Sequence, residues 1–564
     1  MRTSNYPLYE TDRVDNLKEL LSNCAARYAD RIAFQYRHGS GIAQIFFKQF
    51  KQDVECLGTA FLQLGLRNRH IAVLGENSYE WITTYFAVTG SSNVIVPIDP
   101  ELPPREMKNI LQGSDSTVLV YSHRFAGLVP DLARQVDKLD CLISMEAEAD
   151  TNTVKSYPGL LVLGRQLLEQ GDRTFIDNPI DSHRLAAIIY TSGTTGVSKG
   201  VMLSQYNMAS NVVASARHLT VGESSLLVLP LHHTFGWTAG VLCMLHVGAR
   251  ICINNSLKNV TRDMLLFKPT QMCLVPLYLE TMYKRIWANA HKQGKGLLLK
   301  VLIAFSDDLV KLGIDQRRRF FADILLHFGG NLRLVICGGA PLDSKYVRGF
   351  RELGITILNG YGLTECSPIV TGNRNEYYRD DSIGLPLPGV EVKINDPDPE
   401  GEGEICVKGP NVMLGYYGNP SATANTMAGD WLKTGDIGKI DRDGFVYITG
   451  RIKNMIKLSS GLNIYPEELE ALIAAIPYVK DVLVYGETEA GRNVPRLIAE
   501  VLWDSDYMQE NRIKNPQERL EKAIDTLNKS LPYYKKISDI RIRETEFDKT
   551  TTKKIKRFKI VHGQ

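Results

Sequence analysis

The sequence lacks several features that would narrow its class at once. Its nine cysteines stand singly, at Cys24, Cys56, Cys141, Cys243, Cys252, Cys273, Cys337, Cys366 and Cys406, and no C-x-x-C pair occurs. Neither a zinc site nor a disulfide framework is indicated, and a reducing compartment is the simplest expectation. No apolar run reaches the ~18 residues that a membrane span needs. The opening MRTSNYPLYETDR has no apolar signal core. These absences lead us to expect a cytoplasmic protein without a transmembrane segment, a peripheral membrane contact remaining open. Charge is also scarce: the formal net charge is +3 over 564 residues, too little to suggest a nucleic-acid partner. There is no internal repeat and no low-complexity segment.

What is present is ordinary globular material, 44% hydrophobic and 23% charged, in a chain too long for one compact core. From residue 10 to 350 apolar runs alternate with helical patterns. Ile71–Leu74, Val94–Ile98, Val118–Tyr121, Leu226–Pro230 and Leu332–Cys337 read as buried strands. Leu17–Tyr28, Phe50–Leu64 and Tyr79–Val88 read as amphipathic helices between them. Such alternation predicts an α/β fold with largely parallel sheets. From about 383 the texture becomes short strands punctuated by Gly, Asp and Pro, with a hairpin signal at Asp443-Gly444. Beyond Gly450 mixed strands and helices predict a compact α+β domain. We place the boundary near Arg451–Lys453, giving domains 1–450 and 451–564.

The most informative stretch is Tyr190–Val201, YTSGTTGVSKGV, between the apolar run Leu185–Tyr190 and the helical pattern Gln205–Arg217. Gly193 and Gly196 allow close backbone approach. Thr191, Ser192, Thr194 and Thr195 can donate to anionic oxygens, and Lys199 can add a full charge. This is a phosphate loop in physical terms, but the spacing is not G-x-x-x-x-G-K-[ST]. Further on, ICGGAPL places Gly338, Gly339 and Ala340 after a strand, where a flat ligand can lie against the backbone. NGYGLTECSP carries Asn359, Gly360, Tyr361, Gly362, Thr364 and Glu365. Tyr361 can stack on a purine, and Glu365 offers hard oxygens suited to Mg²⁺. KTGDI contains Asp436, GRIKNMIKLSSGLNIYPEELE runs from Gly450, and FDKTTTKKIKR ends at Arg557.

Together these motifs resemble the adenylate-forming synthetases: acyl-CoA synthetases, peptide-synthetase adenylation domains and luciferase-type enzymes. The family loop [YF]-T-S-G-T-T-G-x-x-K-G is complete here. The resemblance spans most of the chain and implies a large N-terminal domain of two α/β subdomains plus a small β-rich section, then a small mobile C-terminal domain. It implies ATP, Mg²⁺ and coenzyme A as cofactors and co-substrates. In it Gly338–Ala340 line the adenine pocket, Glu365 holds Mg²⁺ with Thr191, and Asp436 and Arg451 hold the ribose. Lys453 is the hinge, Gly461 lines the pantetheine tunnel, and Lys457 matches a lysine that some relatives use in the second half-reaction. The catalytic lysine falls on Lys554, although Asp548 and Lys553 depart from the family's Pro and Gly. In LPLHHTFGW, His233 matches a histidine beside the carboxylate, and Trp237 matches a tryptophan that gates an acyl tunnel in long-chain fatty acyl-CoA synthetases. Gly338 also falls in the acid site. The implied activity converts a fatty acid and ATP to acyl-AMP and pyrophosphate, then transfers the acyl group to coenzyme A. Transfer to an acyl carrier protein, an aryl acid as substrate, and a non-catalytic nucleotide-binding relative are the alternatives.

Overall fold

The computed structural model describes residues 4–191, 198–457, 463–487, 496–549, 555 and 557. The chain forms two compact units, residues 1–391 with 407–432, and 392–406 with 433–564. The strands of the β-rich section thus group largely with the C-terminal residues.

Two large sheets build the first unit, as two α/β subdomains. One has eight strands in the order Gly415–Tyr416, Lys199–Ser204, Leu185–Thr191, Val94–Ile98, His70–Leu74, Val118–Tyr121, Cys141–Ser144 and Val154–Ser156. From Leu185–Thr191 outward to Val154–Ser156 its pairings are parallel. The other has nine strands, with Arg250–Ile253, Ser224–Leu227, Gln271–Leu274, Leu334–Cys337 and Thr356–Gly362 parallel at its centre. The predicted strands Val94–Ile98 and Val118–Tyr121 appear with those bounds, as does the helix Leu17–Tyr28. Val94–Ile98 and Val118–Tyr121 are unbroken apolar runs, buried at every position, as expected where helices cover both faces of a parallel sheet. The helix begins at Asn16, whose side chain accepts from the Glu19 amide, and it buries Leu17, Leu20, Leu21 and Cys24. All nine cysteines are free thiols, and all but Cys141 are buried.

One local expectation changes. Leu185–Thr191 does not pass through the loop straight into the helix Gln205–His218. A return strand, Lys199–Ser204, comes first and pairs antiparallel with Leu185–Thr191. Two further features stand apart from the sheets. Arg374, 1% exposed, donates to the carbonyls of His218 (3.0 Å), Tyr6 and Pro7 (2.9 Å) and to Asn5 Oδ1 (2.7 Å). The start of the described chain is fastened through it. The helices Pro276–Lys292 and Gly296–Lys311 bury few side chains: Pro276 and Leu279 in one, Gly296, Leu299 and Ser306 in the other.

In the second unit, Trp431–Ile440 and Val446–Arg451 form an antiparallel hairpin with Gly444 at φ +87° in its turn. Val479–Glu487, Arg496–Trp503 and Asp539–Arg543 form a three-stranded sheet packed by Pro466–Ala474 and Pro516–Ser530. The end of the chain is anchored here. Phe547 is buried with Leu483 and Leu502, and Lys549 pairs with Asp481 at 2.7 Å. Arg557 pairs with Glu470, whose other oxygen accepts from the Val484 amide at 2.7 Å. Burial lifts the Glu470 carboxyl from 4.5 to about 7 against the opposing pull of Arg557. A proton is therefore held more tightly in the folded state than in the unfolded one, so stability falls as pH rises from about 4.5 to about 7 and levels off above. Glu470→Gln is expected to flatten that slope in denaturant melts across this window; an unchanged slope would refute the assignment.

Candidate functional site

The phosphate-loop motif leaves and re-enters the eight-stranded sheet at one point. Thr191 closes the outgoing strand, Lys199 opens the return strand, and the two are cross-strand partners. Gly200 is needed beside Lys199, since a Cβ there would lie 2.8 Å from Ile188 Cγ2 and 3.2 Å from Tyr190 Cζ. Ser192, Gly193, Thr194, Thr195 and Gly196 lie outside the described residues.

Lys199 and Glu365, far apart in sequence, are joined by a tyrosine that sequence reasoning missed. Gly415–Tyr416 pairs with Val201 and Met202 of the return strand. The Lys199 ammonium sits 4.8 Å from the centre of the Tyr416 ring, a cation–π contact. The Tyr416 hydroxyl donates to Glu365 Oε1 at 2.8 Å. Burial, reinforced by the Glu365 charge, raises the pKa of this hydroxyl, which keeps it a proton donor. The Met413 amide also donates to the Glu365 carbonyl at 2.8 Å. The only sequence signal for Tyr416 was a turn-rich LGYYGNP, which does not reveal a strand pairing made more than 200 residues away.

The turn carrying Glu365 is held from several sides. A Cβ on Gly362 would stand 2.0 Å from the Pro368 carbonyl oxygen, so only glycine fits. Asn211 exchanges bonds with both backbone groups of Ile369 (2.6 and 3.1 Å). Asn411 donates to the Cys366 carbonyl at 3.0 Å, and Thr238 to that of Ser367 at 2.9 Å. The Glu365 side chain is therefore delivered, part-exposed, by a backbone held on several sides. No group of three or more His, Cys, Asp or Glu set to hold a metal occurs among the described residues. One hard carboxylate fits Mg²⁺, which draws most of its shell from water and substrate phosphates.

Beside this turn the predicted adenine-pocket stretches meet. Cys337 and Asn359 are partners in adjacent parallel strands, which puts Gly338–Ala340 next to Asn359–Gly362. Gly339 has φ +87°, and a Cβ at Gly338 would touch the Gly360 carbonyl and the Phe235 ring at 3.4–3.5 Å. Asn359 donates to the Asp380 carbonyl at 3.1 Å, while its Oδ1 is buried without a hydrogen-bond partner among the described residues. Tyr361 pairs across the sheet edge with Thr371. Thr364 lies 3.5 Å from Thr234, next to His233, through their hydroxyls.

His233 caps a four-residue helix, Thr234–Trp237, which continues through a wide turn at Thr238–Leu242 into Cys243–His246. Trp237 is 2% exposed and lies on Tyr85, ring centres 3.9 Å apart. It lines a narrow, mostly apolar crevice with about 10 Å³ of free space, together with Tyr85, Ile189, Leu203, Met208 and His232. With Thr234 and Thr238, His232 makes up the crevice's polar part. Burial, then neighbouring His233, holds its pKa well below the usual value, so it presents a neutral imidazole.

Asp436 and Arg451 belong to the second unit and are brought together by their hairpin. They are cross-strand partners, with Arg451 Nε 2.5 Å from Asp436 Oδ1 and Asp436 only 3% exposed. Lys453 is exposed in the turn Ile452–Asn454. Lys457 pairs with Asn463 through its backbone. Its side chain, Gly461 and Lys554 lie outside the described residues, although Ile555 and Arg557 are placed, with Ile555 bridged to Lys549.

With the geometry in place, comparison with known proteins is direct. The profile of the family described as AMP-binding enzyme matches residues 21–417. The long-chain-fatty-acid–CoA ligase FadD15 of Mycobacterium bovis is 30% identical over 464 residues, 78% of this chain and 74% of that protein. The solved anthranilate CoA ligase AuaEII, in complex with anthranoyl-AMP, superposes with a TM-score of 0.78 at 22% identity over 100% of this chain and 98% of that one. The o-succinylbenzoate coenzyme A synthetase MenE of Bacillus subtilis, solved with ATP and magnesium ion, gives 0.72 at 21% identity over 96% and 99%. The phosphate loop, the Glu365 turn and the paired glycine stretches all fall within the matched residues, and the chain belongs to the AMP-binding enzyme family, the adenylate-forming group its motifs resemble.

Proposed function

We propose that this protein joins a fatty acid to coenzyme A in two steps, through an acyl-adenylate. The single observation that carries the reading is the Lys199–Tyr416–Glu365 link, which ties a phosphate loop to a carboxylate suited to Mg²⁺ in a family member. In the first step a carboxylate oxygen bonds to the α-phosphorus of ATP and the bond to the departing pyrophosphate breaks. Both reactants are anionic, so positioning and electrostatic stabilisation must supply the catalysis. Lys199 and the hydroxyls of Thr191, Ser192, Thr194 and Thr195 receive pyrophosphate oxygens. Glu365, with Thr191, would hold Mg²⁺, whose charge offsets that of the phosphates. The unpartnered Asn359 Oδ1 accepts from the adenine amino group, Gly338–Ala340 and Tyr361 flank the base, and Asp436 with Arg451 takes the ribose. Lys554 meets the charge developing at the α-phosphate.

In the second step the thiol sulfur of coenzyme A attacks the acyl carbon and AMP departs. The small domain, beginning at residue 451, rotates about Lys453, withdrawing Lys554 and presenting Gly461 and Lys457 to the thiol. A fatty acid is favoured by the apolar side chains packed around Trp237 and by relatives named as long-chain ligases. His233 stands at the carboxylate end and Trp237 at the acyl end. A cytoplasmic location agrees with nine free thiols and with the lack, among the described residues, of a helix able to span a membrane. The basic 535–559 region leaves a second reading, in which the acyl group passes to the phosphopantetheine arm of a carrier protein. Replacing Lys535 and Lys536 with Glu would then reduce transfer to a carrier while sparing coenzyme A.

Two measurements test the first step. Pyrophosphate release from ATP with a panel of acids should be greatest with fatty acids and should fall by roughly 10²-fold or more in Lys554→Ala, the scale on which removing a preorganised charge acts. Full activity in that variant would move the role to Lys553, and no release with any acid would leave a nucleotide-binding protein. Tyr416→Phe keeps the ring over Lys199 and removes only the donor to Glu365. We expect it to lower the release rate by about tenfold, the worth of a hydrogen bond to a charged group, and to raise the Mg²⁺ concentration needed for half-maximal rate. An unchanged Mg²⁺ requirement would show that Tyr416 does not position Glu365.

A further inference from the structure

The helix Gly296–Lys311 has two apolar faces. The inner one packs Leu299, Leu302 and Ile303 against Phe321 and Leu353. The outer one carries Leu297, Leu298, Val301 and Phe305, with Leu312 just beyond the last turn, and these are 77, 54, 57, 54 and 75% exposed. The side chains at 298, 301 and 305 recur at the spacing of a single helical stripe; the next position is Asp308, ion-paired with Lys311 at 2.8 Å, and Leu312 follows it. Sixteen residues give it a length of about 24 Å. Soluble proteins seldom leave so much contiguous apolar surface uncovered.

The charge around this stripe says what covers it. From Lys284 to Arg319 the sequence holds nine lysines and arginines against three aspartates, a surplus of six where the whole chain has a surplus of three. Lys292, Lys295 and Lys300 are exposed beside the stripe. Arg317 and Arg318 donate to the carbonyls of Arg351 (2.8 Å) and Leu332 (2.8 Å), neutral partners that leave their charge uncancelled by those contacts, although Arg317 also pairs with Asp315. A second copy of this chain docking on the same face would set one cationic surplus against another, which opposes a symmetric dimer. An exposed apolar helix face with a lysine rim is the pattern of a helix that lies in the boundary layer of a bilayer, apolar side chains among the acyl chains and ammonium groups among anionic headgroups.

We propose that the outer face of Gly296–Lys311 docks this protein on anionic lipid bilayers. The inference stands on that surface and does not depend on the identity of the acid.

The test is co-sedimentation of the full chain, without substrates, with vesicles of phosphatidylcholine alone and of phosphatidylcholine with phosphatidylglycerol in equal parts. The wild type should bind the mixed vesicles and lose binding as salt is raised. Val301→Asp with Phe305→Asp should reduce binding by about tenfold or more, as each large apolar side chain withdrawn from lipid is worth on the order of that factor. Lys295→Glu with Lys300→Glu should weaken binding and flatten its salt dependence. Pyrophosphate release with a short, water-soluble acid should be unchanged in both. Equal binding of the wild type to neutral vesicles, or undiminished binding of the aspartate variant, would overturn the proposal. So would self-association or capture of an acidic protein, abolished by the aspartate variant, in a protein that binds no vesicles. If the aspartate variant loses its cooperative melt, Phe305→Ala and the wild-type comparison between the two vesicle types decide the matter alone.

Discussion

The hydroxyl of Tyr416, donating to Glu365 beneath the Lys199 ammonium, is the contact on which the arrangement of the candidate site in the first unit depends. It joins three stretches that the chain order keeps far apart and gives each a partner of opposite character: cation on ring, ring hydroxyl on carboxylate. Without it, a cationic loop and a carboxylate would each be free to find other partners, the most obvious being one another. A direct Lys199–Glu365 pair would cancel both charges. The intervening ring prevents this while keeping them close, so neither charge is cancelled by the other.

The same economy appears in how backbone rather than side chains sets the geometry. The Glu365 turn is clamped by Asn211, Asn411 and Thr238, all of which address carbonyl or amide groups of the turn. Glycine appears where a Cβ would collide, at Gly200 with the Ile188 side chain and at Gly362 with the Pro368 carbonyl. Polar side chains thereby hold the frame of the turn through its backbone groups.

Much of this frame was legible in the sequence. Val94–Ile98 and Val118–Tyr121 could be bounded because β-branched runs end at Asp-Pro and Ser-His, and Leu17–Tyr28 because an asparagine cap precedes an amphipathic period. The motifs singled out the Gly/Thr-rich loop, the paired glycine stretches and the Glu365 turn as candidates. What was hidden depended on pairing over long distances or on weak local pattern. Lys199–Ser204 begins Lys-Gly and holds only three consecutive apolar residues, Val201–Leu203, so the loop seemed to run into its helix. Tyr416 gains meaning only through its register with Val201. Thr238–Leu242 reads as ordinary apolar helix, since the wide turn costs no change in composition. For Lys554, Gly461 and the inner residues of the phosphate loop, the sequence motif remains the whole of the case.

Arg374 carries a consequence of its own. Its guanidinium is buried, and the partners given above are oxygens without formal charge, three of them from Asn5, Tyr6 and Pro7. A cation sealed in this way relies on oriented dipoles in place of water. The first few residues therefore behave as a solvation shell made of peptide. Trimming them by proteolysis, or prying them loose, would strand a charge in the interior, so that what looks like a dispensable tail is thermodynamically part of the core.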